Sequence, residues 1–151
     1  MLKGIHPLLN ADVLFALRSM GHGDDLIIAD TNFPSDSVSR NTRLGKLLRI
    51  DNTTAAEVAQ AVLSVYPLDS FVDDAAARME IVGKPTEIPL VQQEVQKVID
   101  DAEGKSWPMI AIERYEFYER AKQAYCVIQT GERRFYGCFA FRKGVIPPDA
   151  G

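Results

Sequence analysis

Residues 20–30, Met-Gly-His-Gly-Asp-Asp-Leu-Ile-Ile-Ala-Asp, contain the strongest structural signal in this chain. The four residues 26–29 are all apolar, which is typical of a short strand buried on both faces of a sheet. Upstream, Val13, Leu14, Leu17 and Met20 recur at helical spacing, and Gly21 follows them, as a glycine commonly does at the end of a helix. The segment therefore predicts a helix, a glycine-rich bend and a buried strand.

Helices and short apolar strands alternate along the rest of the chain. The predicted helices cover 11–20, 54–65, 89–102 and 114–124, and the predicted strands cover 26–29, 43–50, 75–82, 108–112, 125–129 and 135–141. Asn10 is a capping residue for the first helix, and Thr54 with Glu57 is a capping box for the second. We expect the last two strands to form a hairpin.

The alternation of helices with strands indicates the fold class. The chain contains no internal repeat and no linker that would divide it. Interleaved helices and apolar strands favour an α/β layered arrangement in which helices flank a mixed sheet. We therefore predict a single domain over residues 1–151, a length within the usual ~100–200 residues per domain.

Composition excludes several classes of protein. The 46% hydrophobic content rules out disorder, and 17 Lys and Arg against 21 Asp and Glu argue against nucleic-acid binding. No apolar run approaches the ~20 residues of a membrane span, and no signal peptide is expected. Cys126 and Cys138 are too few for a disulfide scaffold, so we interpret them as buried reduced thiols of a cytoplasmic protein.

His22 and Asp30 lie on either side of the predicted buried strand and are candidates for the chemistry. Histidine is the side chain best able to exchange a proton near neutral pH. Asp30 falls at the carboxyl end of the strand, where open α/β sheets place ligand-binding groups, and could accept sugar hydroxyls or orient the imidazole. The alternatives are a solvated loop histidine and a turn formed by Asp30 with its polar neighbours.

Two later segments also carry candidate ligand groups. Arg114 falls at a strand-to-helix junction, where its forked guanidinium could bind hydroxyl oxygens. Tyr136, Gly137 and Cys138 lie on the predicted last strand, and a glycine inside a strand often marks close approach by a ligand or another backbone. An edge-strand aromatic beside a glycine bend is the structural alternative. In the helix 114–124, we expect Arg120 to lie on a solvated face. Tyr118 could be a core residue with its hydroxyl at the rim or a ligand-binding group.

Taken together, these segments resemble the RbsD/FucU family of sugar mutarotases, in particular its fucose-mutarotase branch. The matching motifs are MLKGIHPLL at 1–9, MGHGD at 20–24, Asp30 with NFP at 32–34, FYERA at 117–121, TGER at 130–133 and YG at 136–137. The motifs are long and in the same order as in the family. The similarity extends from residue 1 to about residue 145.

The resemblance assigns roles to the candidate residues. It implies that His22 is the catalytic histidine, and that Asp30 and Arg114 bind the substrate. Tyr136, Gly137 and Cys138 match a sugar-contacting segment that reads Tyr-Gly-Asn in the family. Because a thiol forms weaker hydrogen bonds than an amide, Cys138 leaves open a related pyranose as the preferred sugar in place of fucose.

The resemblance also implies the reaction and the assembly. Family members interconvert the α and β anomers of a free reducing sugar by acid–base ring opening and reclosure, and some interconvert pyran and furan forms. This chemistry uses no metal and no organic cofactor. Family members form ring-shaped homo-oligomers, commonly decamers, with sites near subunit contacts. The alternatives are a non-catalytic monosaccharide-binding module associated with sugar uptake, and a different enzyme that uses Cys138 as a nucleophile.

Overall fold

The computed structural model of this chain describes residues 1–150. Its helices and strands are, in chain order, α1 (Ala11–Ser19), β1 (Asp25–Ala29), α2 (Ser35–Ser39), β2 (Leu48–Ile50), α3 (Ala55–Leu63), β3 (Ala76–Met79), α4 (Leu90–Glu103), β4 (Ile110–Ile112), α5 (Arg114–Gln123), β5 (Cys126–Thr130) and β6 (Phe139–Arg142). In the part of the chain described here, no helix is both long and apolar enough to span a membrane.

The six strands form one mixed sheet with the order β2-β5-β1-β6-β3-β4. The pairs β1–β5, β2–β5 and β3–β4 are parallel, whereas β6 runs antiparallel to both of its neighbours, β1 and β3. Within residues 1–150, β6 is therefore the one strand that runs against the other five. The predicted α/β fold with a mixed sheet flanked by helices is confirmed.

The central strand β1 is buried on both faces, as its apolar run predicts. Leu26 and Ile28 point into a core formed with α1, α3 and α4. Ile27 and Ala29 point to the opposite face, into a second core formed with α2 and α5. Successive residues of a strand alternate between the faces of the sheet. Because helices cover both faces, all four side chains are fully buried. The molecule thus has three layers, with helices on both sides of the sheet.

Both predicted helix caps are present. The Asn10 side chain accepts a hydrogen bond from the Val13 amide at 3.0 Å and so begins α1. The Thr54 side chain accepts from the Glu57 amide, and the Glu57 carboxylate accepts from the Thr54 amide at 2.8 Å. These reciprocal bonds satisfy amide groups that the first turn of a helix leaves without partners.

The predicted hairpin between the last two strands is wrong. β6 pairs with β1 and β3, and β5 pairs with β1 and β2. The connecting loop, residues 131–138, first passes so close to Asn52 that a Cβ on Gly131 would lie 2.6 Å from the Asn52 amide nitrogen. It then crosses the end of β1, where Gly137 donates to Asp30. This path carries the chain past β1 before the last strand begins.

Other differences concern element boundaries. The predicted strands at 43–50 and 75–82 are shorter, covering Leu48–Ile50 and Ala76–Met79. The helix α2 was not predicted, because its five residues read as a polar turn. Its one large apolar side chain, Val38, packs with Phe33 against α5, so tertiary contacts stabilise a helix that local propensity does not indicate.

Candidate active site

A cavity opens at the carboxyl edge of the sheet, the edge where the five codirectional strands end. Asp30 follows β1, Met79 ends β3, Arg114 follows β4, and Cys138 precedes the reversed strand β6. These residues line a cavity of about 280 Å³ together with Asn32, Phe33, Tyr118, Phe135 and Tyr136. This volume is close to the lower limit of the ~300–1,000 Å³ of ligand pockets. The cavity is therefore suited to a small molecule.

Asp30 is buried and held by backbone groups. Its Oδ1 accepts hydrogen bonds from the amides of Asn32 at 3.0 Å and Phe33 at 2.9 Å. Its Oδ2 accepts from the Gly137 amide at 3.1 Å. The carboxylate therefore has a fixed orientation before any ligand arrives, and Oδ2, which accepts one bond, retains capacity to accept from a hydroxyl group.

Tyr136 and Gly137 form the turn that closes over Asp30. Tyr136 has φ = 61°, in the left-handed region that non-glycine residues rarely adopt. A Cβ on Gly137 would lie 2.9 Å from Glu132 Cγ and 3.3 Å from Asp30 Cβ. Gly137 is therefore tightly packed, but by the side chains of Glu132 and Asp30, where the sequence predicts a ligand or another backbone. The predicted position of this segment on the last strand is wrong, since it lies in the loop before β6.

Arg114 and Tyr118 form the opposite wall on helix α5. Arg114 Nε donates to the Tyr118 hydroxyl at 3.3 Å, and the guanidinium lies 5.5 Å from the centre of the Tyr118 ring. This hydrogen bond raises the pKa of Arg114. The Tyr118 ring also packs edge-on against Phe33, at 5.2 Å between ring centres. The pair presents a cation and a phenol to the cavity.

The two cysteines are free and buried, as predicted. Burial raises the pKa of Cys126 to about 12 and raises the pKa of Cys138 well above its ordinary value. Cys138 therefore lines the cavity as a neutral thiol. Because the thiolate is the nucleophilic form, this environment argues against covalent catalysis by Cys138.

His22 lies at the opposite, amino edge of the sheet. Its Nε2 is 3.1 Å from Oδ2 of Asp69, a buried carboxylate whose Oδ1 accepts from the Phe71 amide. The His22 side chain is 45% exposed, and its ring packs edge-on against the exposed ring of Phe71. The imidazole is thus held by a carboxylate and open to solvent, an arrangement that suits proton transfer.

The strand β1 separates the imidazole from the cavity. His22 precedes β1 and Asp30 follows it, and five strand residues at ~3.3 Å each span about 17 Å. His22 does not line the cavity. The possibility that Asp30 orients the imidazole is therefore wrong within a single copy of the chain, and Asp69 takes that role.

The expectation that Arg120 lies on a solvated face is wrong, because Arg120 is part of a partly buried ion cluster at the amino edge. Its guanidinium donates to both Asp25 oxygens, at 3.1 and 3.0 Å, and to the Asp74 carbonyl at 2.9 Å. Arg142 donates to the carboxylates of Asp25 and Asp74. Because Asp25 and Asp74 are distant from Arg120 in sequence, helical spacing alone did not reveal these pairs.

Sequence reasoning missed Asp69 and left Tyr118 open between a core and a ligand role. Asp69 is 47 residues from His22 and belongs to no motif, so only tertiary structure reveals their contact. Tyr118 lies four residues after Arg114 on the same helix, and this spacing could have indicated their contact. In the described range, 1–150, no three His, Cys, Asp or Glu side chains are grouped so as to hold a metal ion.

Comparisons with known proteins agree on one family. Residues 3–146 match the model of the RbsD / FucU transport protein family. The human fucose mutarotase is 40% identical over 96% of this chain and 94% of its own length. The crystal structure of protein Atu2016, a candidate sugar binding protein, is 64% identical with a TM-score of 0.95, covering 97% of each chain. The Streptococcus pneumoniae fucose mutarotase in complex with L-fucose is 34% identical with a TM-score of 0.86, covering 97% of this chain and all of its own.

Proposed function

This chain belongs to the RbsD/FucU family, and from that membership we propose that it is a sugar mutarotase. It would interconvert the α and β anomers of a free monosaccharide, L-fucose or a related pyranose. The observation that carries this proposal is the carboxyl-edge cavity, where a fixed carboxylate, a guanidinium and two phenols surround a space of about 280 Å³. Curated relatives at 39–40% identity are fucose mutarotases, which supports the same substrate class.

The lining residues offer both kinds of contact that a pyranose needs. Asp30 accepts hydrogen bonds from sugar hydroxyls, and Arg114 donates to their oxygen atoms. Tyr136 offers a phenol as a further anchor, beside the backbone of Gly137 and the small thiol of Cys138. The apolar side chains of Phe33 and Met79 contact the C–H faces of the ring.

The reaction is a balanced pair of proton transfers. A base removes the proton of the anomeric hydroxyl, the bond between C1 and the ring oxygen breaks, and an acid protonates that oxygen. The product is an open-chain aldehyde, which rotates about C1–C2 and recloses on its other face by the reverse steps. We assign proton transfer to His22, with Tyr136 as anchor or second proton carrier. General acid–base catalysis of this kind contributes ~10²–10⁴-fold.

Because β1 separates His22 from Asp30 within one chain, we propose that His22 acts on a sugar held by a neighbouring copy. A head-to-tail contact between the two edges generates a ring, in keeping with the homo-oligomer implied by family resemblance. Two large aromatic side chains support this contact: Phe71 beside His22 is 70% exposed, and Phe135 at the cavity is 73% exposed. A decamer in the cytoplasm remains our expectation.

Saturation-transfer NMR on equilibrated sugars tests the activity. L-fucose, D-galactose and D-ribose are tested side by side. We expect the protein to accelerate exchange between the anomers of L-fucose above the uncatalysed rate, and His22→Ala to lose this acceleration. Calorimetry on the same samples separates the alternatives, because a non-catalytic binding module would bind sugar without accelerating exchange. Absence of exchange for all three sugars would overturn the proposal.

Mixing two impaired variants tests the shared site. We expect His22→Ala to accelerate no exchange between anomers, and Asp30→Asn to accelerate little exchange at sugar concentrations well below its raised Kd, so the assay is run at such concentrations. After co-assembly, random assortment gives roughly a quarter of the sites an intact His22 and an intact Asp30 from adjacent copies. Activity at that level supports the shared site, with unmixed assemblies as controls. A co-assembled sample without activity, or a monomeric mass by light scattering, would contradict it.

A further inference from the structure

Gln92 is a fully buried amide on the first turn of α4 that does not line the cavity. Its Nε2 donates to the carbonyl of Met79 at 2.7 Å and to the carbonyl of Tyr136 at 3.0 Å. Its Oε1 accepts from Arg78 Nη1 at 3.1 Å. The two carbonyls belong to cavity-lining residues on different segments, so one side chain joins the end of β3 to the loop over Asp30.

The bond to Tyr136 fixes a specific peptide unit. The carbonyl of Tyr136 and the amide of Gly137 belong to the same planar peptide. Gln92 holds that carbonyl, and Asp30 accepts from that amide at 3.1 Å. Rotating the peptide would break both hydrogen bonds. The left-handed φ of Tyr136 is thus held from both sides, and the same clamp orients the Asp30 carboxylate.

Arg78 sets the direction of the Gln92 amide. It is buried, and its guanidinium donates to Gln92 Oε1 and to the Pro85 carbonyl at 3.3 Å. Because a guanidinium only donates, the amide oxygen must face Arg78 and the amide nitrogen must face the two carbonyls. A carboxylate at position 92 would pair with Arg78 and have no hydrogen to donate to Met79 or Tyr136.

We infer that Gln92 is a positioning residue of the sugar site, acting through the Tyr136–Gly137 peptide on the orientation of Asp30. This inference rests on the proposed function for its sugar-binding consequence. The geometric part, that Gln92 keeps residues 136–138 closed over the cavity floor, stands on the hydrogen bonds alone.

The test uses Gln92→Glu and Gln92→Met, with Gln96→Met as the matched control. Gln96 lies one turn later on α4, and its amide also makes three hydrogen bonds, to Asp100, Trp107 and Met109. None of these bonds reaches the loop 131–138. Reaction of Cys138 with a thiol reagent, assigned by mass spectrometry against buried Cys126, reports opening of that loop.

Loss of the hydrogen bond from Gln92 to the Tyr136 carbonyl is expected to shift the equilibrium between the closed and open loop roughly tenfold towards the open form. We therefore expect both Gln92 variants to raise the reaction rate of Cys138 and the Kd for L-fucose about tenfold. The rate of anomer exchange at saturating sugar should fall by a smaller factor than the affinity for L-fucose. The control Gln96→Met should change neither Cys138 reactivity nor affinity, even if it melts at a lower temperature.

Unchanged Cys138 reactivity in the folded Gln92 variants, or an equal increase in Gln96→Met, would overturn the inference. If the variants fail to fold, hydrogen exchange at the Gly137 amide of the unmodified protein still decides. Slow exchange is expected, and exchange as fast as in an open loop would overturn it. If the unmodified protein binds no sugar, the proposed function fails, while the thiol and hydrogen-exchange results still judge the clamp.

Discussion

The two edges of the sheet carry different kinds of site. At the carboxyl edge, Asp30 is buried, bonded to three backbone amides, and set in a cavity. At the amino edge, His22 is half-exposed, held by a single carboxylate and outside that cavity. Under the proposed function, the carboxyl edge would hold the sugar and the amino edge would present His22 to a neighbouring copy.

The largest expected effect comes from Asp69→Asn at the amino edge. The Asp69 carboxylate is negatively charged and accepts a hydrogen bond from the imidazole N–H. A neutral amide lacks this charge and can also donate, so it no longer fixes the tautomer and orientation of His22. We expect anomer exchange to fall by up to the ~10²–10⁴-fold that acid–base catalysis contributes. Calorimetry should show unchanged sugar affinity. Weaker binding would contradict the division between the edges.

Asp30→Asn at the carboxyl edge is expected to have the opposite signature. Whichever way its amide turns, the amide nitrogen would face a backbone amide that donates to Asp30, so a buried donor would lose its acceptor at a cost of about 1–3 kcal/mol. We expect the Kd for L-fucose to rise roughly 10–100-fold. Calorimetry measures this directly, and an affinity equal to that of the unmodified protein would contradict the role of Asp30.

Alanine at two glycines compares the packing of the edges. A Cβ at Gly137 would lie 2.9 Å from Glu132 Cγ, whereas the nearest atom to a Cβ at Gly21 is 4.0 Å away. We expect Gly137→Ala to lower the free energy of unfolding by about 1–3 kcal/mol, as overpacked sites do. Gly21→Ala should change it by about 0.5 kcal/mol or less. Urea denaturation of both variants checks the order, and equal losses would contradict it.

The smallest expected effect is a pH dependence located at the carboxyl edge. Burial opposes the charge of Glu132, but hydrogen bonds from Arg134 and from the Ala55 amide outweigh it and lower the pKa of Glu132 below its ordinary 4.5. A lowered pKa in the folded protein stabilises it above pH 4.5, and this contribution is lost as pH falls through the folded value. Denaturation between pH 7 and pH 3 should show a shallower decline for Glu132→Gln. An unchanged slope would contradict this.

The sequence predicts local features of this fold better than contacts between distant segments. The apolar run 26–29 and the capping residues Asn10 and Thr54 are local signals, and each gives the predicted element. The pairing of β6 is not local, because the loop 131–138 is directed by contacts with Asn52 and Asp30 that lie far away in sequence. Propensity favours a hairpin there, and tertiary packing overrides it.

The candidate site divides in the same way. Asp30 and Arg114 were predicted from their places at strand ends, because the carboxyl edge of an α/β sheet gathers such residues. Gln92, which holds the peptide that contacts Asp30, follows no pattern that distinguishes it from a core residue, whereas the contact of Tyr118 with Arg114 could have been inferred from their spacing on one helix. The separation of His22 from Asp30 follows from counting the strand residues between them, whereas the contact of His22 with Asp69 depends on the tertiary fold.

The reversed strand β6 links the two edges directly. Cys138 before it lines the cavity, while the carbonyl of Lys143 after it accepts from the Gly23 amide, beside His22. Deletion of Ala140 within β6 would make Phe139 and Phe141 adjacent and so place them on opposite faces of the sheet, and it would displace one end of the strand by about 3.3 Å. Such a slip would damage sugar capture and proton transfer together, so insertions and deletions should be far less tolerated here than in the exposed tail.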